Sequence, residues 1–243
     1  MRSARTTFEM GLREYVRTPV LLALLLFLPA YFIGVFSYVM PDQSVPVDVG
    51  GETLQVGMQA LVAALMTPMA AALVGGIAGL FLMQSARDVD TRLSIVGASL
   101  PEILLARGGV LALAAAVASL VATAVVTLTH VPEQVGWFLA ATVLTGLLYG
   151  TLGALVGLVL NRLAGVYVLL FGPLLDIFLA QSPLSTETHA VAPYLPGHYP
   201  MELALDAAFT AGVDPSPLWW GLGYLLAVAL VTGLAFRRAL RVG

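Results

Sequence analysis

Residues 58–83 read MQALVAALMTPMAAALVGGIAGLFLM, and residues 84–92 read QSARDVDTR. A run without a single charge gives way at once to two arginines and two aspartates. A helix needs about 20 mostly apolar residues to cross some 30 Å of hydrocarbon, so the first stretch predicts a membrane span and the second its exit into water. Five further stretches share this character: 19–40, 104–129, 135–160, 163–181 and 218–236. Asp176 interrupts the one at 163–181. The reading is an all-α polytopic membrane protein of six spans, forming a single transmembrane domain over residues 1–243. Composition agrees, with 59% hydrophobic and 10% charged residues, against about 25% charged in a soluble domain.

Charge sets the orientation. All 11 basic residues are arginines. With six spans every one falls on the same side: Arg2, Arg5, Arg13 and Arg17; Arg87, Arg92 and Arg107; Arg162; and Arg237, Arg238 and Arg241. The intervening connections carry acids without cations: Asp42, Asp48 and Glu52; Glu133; Glu187, Glu202, Asp206 and Asp214. Loops kept in the cytoplasm retain Lys and Arg, because moving a cation outward against the inside-negative potential is unfavourable. Both termini are therefore expected in the cytoplasm of a plasma-membrane protein. The first span is too long for a signal-peptide core and no small-residue cleavage site follows it. Cysteine is absent, which removes disulfides and thiolate metal sites.

The connections are uneven. Residues 2–17 place Ala4, Phe8, Leu12 and Tyr15 at helical spacing, with Thr6 and Glu9 at capping-box spacing, and predict an amphipathic interfacial helix. A frayed basic tail is the alternative. Residues 41–57 read as a short polar outside loop. Residues 84–103 mix Arg87, Asp88, Arg92 and Glu102 with Leu93, Val96 and Leu100, and a loop meant only to be solvated needs no such apolar residues. A short docking helix is expected there. Asn161 and Arg162 form a tight turn. Residues 182–217 carry six prolines around an apolar run, Met201–Ala211. That run is too short to span and too hydrophobic for an ordinary loop, which predicts a re-entrant or interfacial helix. Gly75 and Gly79, Gly146 and Gly150, and Gly153 and Gly157 recur at spacings that let helices approach closely.

Few residues carry chemistry. Asp176 lies well inside a span, where an ionisable group is a functional candidate by default; reaching the interface or capping a re-entrant helix is the structural alternative. His198, Glu202 and Asp206 are four apart and would share a helix face, which makes them weak metal-ligand candidates, Pro200 disturbing the geometry. A hydrated outward face is the alternative. No G-x-x-x-x-G-K-[ST] loop occurs and the chain has no lysine to complete one. No catalytic residue and no cofactor is assigned to this chain, and nothing points to nucleic acid.

Two local runs carry a family resemblance. Arg92-Leu93, Gly97 and Pro101-Glu102-Ile103-Leu104-Leu105-Ala106-Arg107 are similar to a coupling-loop pattern, R-L-x-x-x-G-x-x-x-x-E-I-L-x-A-R. Tyr194-Leu195-Pro196-Gly197-His198-Tyr199 resembles the proline-bearing start of re-entrant helices. With the six-span layout they make the whole chain resemble an ABC-2-type permease, the membrane subunit of ATP-driven transporters usually associated with export. The resemblance implies coupling to a separate ATPase subunit through Arg87, Asp88, Arg92, Leu93, Val96, Leu100 and Glu102. It also implies two ATPase copies holding ATP and Mg, and a second permease copy or a relative. The importer-type coupling loop is not recognisable. The spans have apolar centres, which favours a hydrophobic or amphipathic substrate, with Asp176 as the one polar candidate on its path. A membrane-embedded metal-dependent enzyme and a non-transporting scaffold or sensor subunit are the alternatives.

Overall fold

A computed structural model describes residues 19–95, 100–183 and 191–242, with side chains over 27–85 (Ser37 aside), 104–183 and 191–238. The interfacial helix expected at 2–17 lies outside these residues. In chain order the elements are α1 (Pro19–Val39), strands β1 (Ser44–Val49) and β2 (Glu52–Gly57), α2 (Met58–Ile95), α3 (Leu100–Thr127) and α4 (Val135–Val159). Then come α5 (Arg162–Pro173), continued by a π-helical stretch (Leu174–Ala180), a 3-10 turn (Ala192–Tyr194), α6 (His198–Phe209) and α7 (Ser216–Val242). Among the described residues, five helical stretches are long and apolar enough to cross a membrane: Met58–Ser85, Leu104–Thr127, Val135–Val159, Arg162–Ala180 and Ser216–Arg238. The chain is a polytopic helical membrane protein.

The helix at the centre is α2. Its apolar stretch is buried on all sides, and α4 is its principal neighbour. Glycine makes that contact possible. A Cβ built on Gly75 would lie 3.0 Å from the Gly146 carbonyl carbon, one on Gly79 2.9 Å from that of Gly150, and one on Gly153 2.8 Å from that of Gly76. The backbones therefore meet with nothing between them, which strengthens dispersion where lipid offers no hydrophobic drive. The small-residue spacings read from the sequence converge on this one seam. Further from it, α5 with its π-helical continuation and α7 keep Phe171, Leu175, Trp219, Leu226 and Leu234 exposed.

Two sequence expectations are corrected. Residues 41–57, expected as a short polar loop, form a hairpin: β1 and β2 pair antiparallel, Val45 opposite Val56 and Val49 opposite Glu52. The turn is Gly50–Gly51, with φ of 61° and 83°; both are positive, as a two-residue hairpin turn of this hand requires. Val47, Val49 and Val56 are buried while their neighbours along the strands are exposed. The second correction concerns residues 84–103. Instead of a loop, α2 runs on without a break to Ile95 and α3 begins at Leu100. Loss of hydropathy marks where a helix leaves lipid, not where it ends.

The bundle has two chemically different ends. One carries the hairpin, α6 and the α3–α4 connection. There the Glu133 and Gln134 amides donate to the Ala208 and Ala207 carbonyls at 3.2 and 2.8 Å, satisfying orphan groups at the end of α6. Asp42, Asp48, Glu52, Glu133 and Asp214 lie at this end, all exposed. At the other end Gln84 donates to the Leu160 carbonyl at 3.0 Å. The Arg162 guanidinium lies 4.1 Å above the Phe81 ring, and Asn161 caps α5 by accepting from the Ala164 amide at 2.9 Å. Arg107 reaches the Leu82 carbonyl there at 3.5 Å.

The α3–α4 connection also holds a titratable contact. His130 sits 6.0 Å from the Phe209 ring. Burial pushes its pKa below the ordinary 6.5, and Glu133 only partly offsets this. The folded state thus binds the proton less readily than the unfolded chain, so stability is full above pH 6.5 and falls as pH drops below it. The half-exposed ring limits the effect to well under about 1 kcal/mol. We expect His130→Gln to flatten the thermal-midpoint profile between pH 7 and pH 5.5; an unchanged slope would remove His130 as its cause.

Candidate functional site

Asp176 anchors the most elaborate polar cluster among the described residues. It sits in the π-helical stretch that follows Pro173, where the wider turn re-aims side chains and often marks a functional position. Its carboxylate is buried, with 5% of the residue exposed. Three donors from three segments converge on it. Tyr149 of α4 donates its hydroxyl to Oδ2, the Gly197 amide donates to Oδ2 at 2.7 Å, and Gln181 Nε2 donates to Oδ1 at 3.2 Å. The Gln181 amide also donates to the Ala192 carbonyl at 2.9 Å, and its Oε1 lies 3.1 Å from His198 Nδ1. Tyr224 of α7 closes the far side, donating to the Tyr194 carbonyl at 3.2 Å.

Gly197 is the residue on which α6 starts. The Asp176 carboxylate therefore faces the N-terminus of α6, where unpaired amides and the helix dipole favour negative charge. No side chain fits between them, since a Cβ on Gly197 would stand 2.8 Å from Oδ2. Pro200 falls in the first turn, where its missing N–H would have been unpaired anyway. The helix expected at Met201–Ala211 thus starts three residues earlier and ends at Phe209.

Depth follows from helix geometry. Tyr149 is fourteen residues into α4, or about 21 Å from its start at Val135. The end of α6 lies against the Glu133 and Gln134 amides at that start. Gly197 therefore lies part-way along α4, and α6, whose twelve residues cover about 18 Å, runs from there to the α3–α4 connection.

The remaining candidates are placed as follows. His198 joins the Asp176 cluster through Gln181. Glu202 is exposed. The Asp206 carboxylate is taken up by Thr210 Oγ1 at 2.6 Å and the Asp214 amide at 2.9 Å, below the Gly50 turn. The three side chains do not converge, and among the described residues no three His, Asp or Glu side chains could hold a metal ion. Arg87, Asp88, Arg92 and Leu93 lie on the last three turns of α2, and Leu100 and Glu102 open α3. Their side chains and all of Val96 lie outside the described residues. Sequence reasoning missed Tyr149 and Tyr224 as partners; the one local signal was a tyrosine among the glycines of α4. Compared with known proteins, the chain matches no family model and no curated protein.

Proposed function

We propose that this chain is the membrane subunit of an ATP-driven transporter of the ABC-2 permease type, exporting a hydrophobic or amphipathic substrate. The observation that carries the reading is the length of α2. Its 38 residues extend about 57 Å, roughly twice the hydrocarbon thickness. The charged run from Arg87 to Ile95 makes up about 13 Å of that length, and it projects from the end where Arg107 and Arg162 lie. A subunit with no nucleotide site needs a stiff lever against an ATPase, and a helix continuous with the central span transmits a push better than a loop would. ATP hydrolysis then belongs to two partner subunits, and a second permease completes the path.

Three features support the finer layout. The 21 residues of α1 are enough to make a sixth crossing. The charge asymmetry supports putting the arginine end, and with it both termini, in the cytoplasm of a plasma-membrane protein. The start of α6 at Gly197, beside Asp176 and Tyr149 part-way along α4, supports a re-entrant segment, with Asp176 as the anchor of its helix rather than a group that touches substrate. We expect the chain to co-purify with an ABC ATPase of the same organism as a complex with vanadate-sensitive ATP hydrolysis. Leu93→Asp and Leu100→Asp should weaken that complex at least tenfold, while Asp176→Asn leaves it intact. Failure to find any ATPase partner, with the chain stable alone, would overturn the reading.

A further inference from the structure

At the arginine end a cavity of about 190 Å³ lies between α2, α3, α4 and α7. Leu82, Met83, Leu104, Leu111 and Ala154 give it apolar walls, and Arg107 provides a charged group on its lining. Glycine makes the room: a Cβ on Gly108 would meet nothing within 4 Å, and one on Gly233 would first meet Leu104 at 3.7 Å. The two hydroxyls on the lining are spent, Thr151 donating to the Leu147 carbonyl and Thr232 to that of Val228, each at 2.8 Å. Arg107 is 9% exposed, and its Nη1 is steered by the Leu82 carbonyl.

We infer that this cavity binds one anionic phospholipid, its headgroup on the Arg107 guanidinium and an acyl chain along the apolar wall. Arg107 lies one turn inside the apolar stretch Leu104–Thr127, and a buried arginine there faces a cavity or the bundle interior and marks a ligand position. Its planar fork suits a phosphate diester better than a zwitterion that carries its own cation. Leu105 and Leu234, next to lining residues, are exposed, so α3 and α7 present this region to the surrounding lipid. Exposed Arg237 and Arg238 lie one turn beyond Gly233 and raise the local concentration of anionic lipid. The inference does not depend on an ATPase partner.

The test is native mass spectrometry of the full chain in neutral detergent, with phosphatidylglycerol and phosphatidylcholine of matched chains as probes. One phosphatidylglycerol should be retained about tenfold more tightly than phosphatidylcholine. Arg107→Gln should abolish that preference, and Arg237→Gln with Arg238→Gln should keep it. Gly108→Leu, which fills open space, should exclude both lipids. Undiminished preference in Arg107→Gln, full binding in Gly108→Leu, or a preference carried by Arg237 and Arg238 would each overturn the assignment. So would displacement of the lipid by inorganic phosphate, which would make this a site for a free anion. Should Arg107→Gln fail to fold, Gly108→Leu decides alone.

Discussion

Replacing Gly79 by valine is expected to leave little monodisperse protein after extraction in mild detergent. A Cβ at Gly79 stands 2.9 Å from the Gly150 carbonyl carbon and 3.0 Å from the Ala154 nitrogen. Those are backbone atoms of α4, and no rotamer change moves them aside. The helices must separate, and with them the reciprocal contact at Gly153, where a Cβ would stand 2.8 Å from the Gly76 carbonyl carbon. Overpacking of a core commonly costs about 1–3 kcal/mol, and a backbone clash at the most extensive helix interface belongs at or above that upper end. Even Gly79→Ala should lower the thermal midpoint clearly. Gly172→Ala, where a Cβ meets nothing within 4 Å, controls for the change in helix propensity. A Gly79→Ala protein that melts with the wild type would mean that α2 and α4 are not packed backbone to backbone.

Hydropathy carried the legible part of this fold. A run such as 58–83 reports its own surroundings, because every residue in it must tolerate lipid or core, and the five long apolar helices follow within a few residues of where the sequence puts them. The hairpin was less visible. Val45, Val47 and Val49 alternate and Gly50–Gly51 is a turn signal, but a short polar segment reads as a loop, and pairing in a six-residue strand is settled by what it packs upon. The reach of α2 was hidden for a different reason: backbone hydrogen bonding does not depend on apolar character, so a charged helix continues past the point where hydropathy stops. At the candidate site, Asp176 stood out as an acid in an apolar span, whereas Tyr149 is 27 positions away in sequence and nothing local links them. The metal trio failed on helix geometry. Positions four apart drift by about 40° each, so Glu202 can be exposed while Asp206 is buried beside it.

Removing the carboxylate of Asp176 is the second change expected to have a large effect. Asp176→Ala strips the acceptor from the buried Tyr149 hydroxyl, the Gly197 amide and the Gln181 amide at once, and an unsatisfied buried donor costs about 1–3 kcal/mol. It also removes negative charge from the start of α6, whose dipole it complements. Because Gly197 ties the start of α6 to the π-helical stretch after α5, the loss should appear as faster hydrogen exchange at Gly197–Met201, with a lower thermal midpoint. Asp176→Asn should be milder. Its carbonyl oxygen can occupy the Oδ2 position and still accept from Tyr149 and Gly197, while its NH₂ faces Gln181, whose amide must turn over and give up the Ala192 carbonyl. Gly197→Ala should mimic Asp176→Ala, since its methyl would displace the same carboxylate oxygen. The two changes together should cost little more than either alone, as expected of partners in one contact. Full additivity, or exchange at α6 that ignores Asp176, would sink the anchoring role. If Asp176→Asn instead abolished transport while midpoint and exchange stayed at wild-type values, the carboxylate would belong to the substrate path rather than to the support of α6.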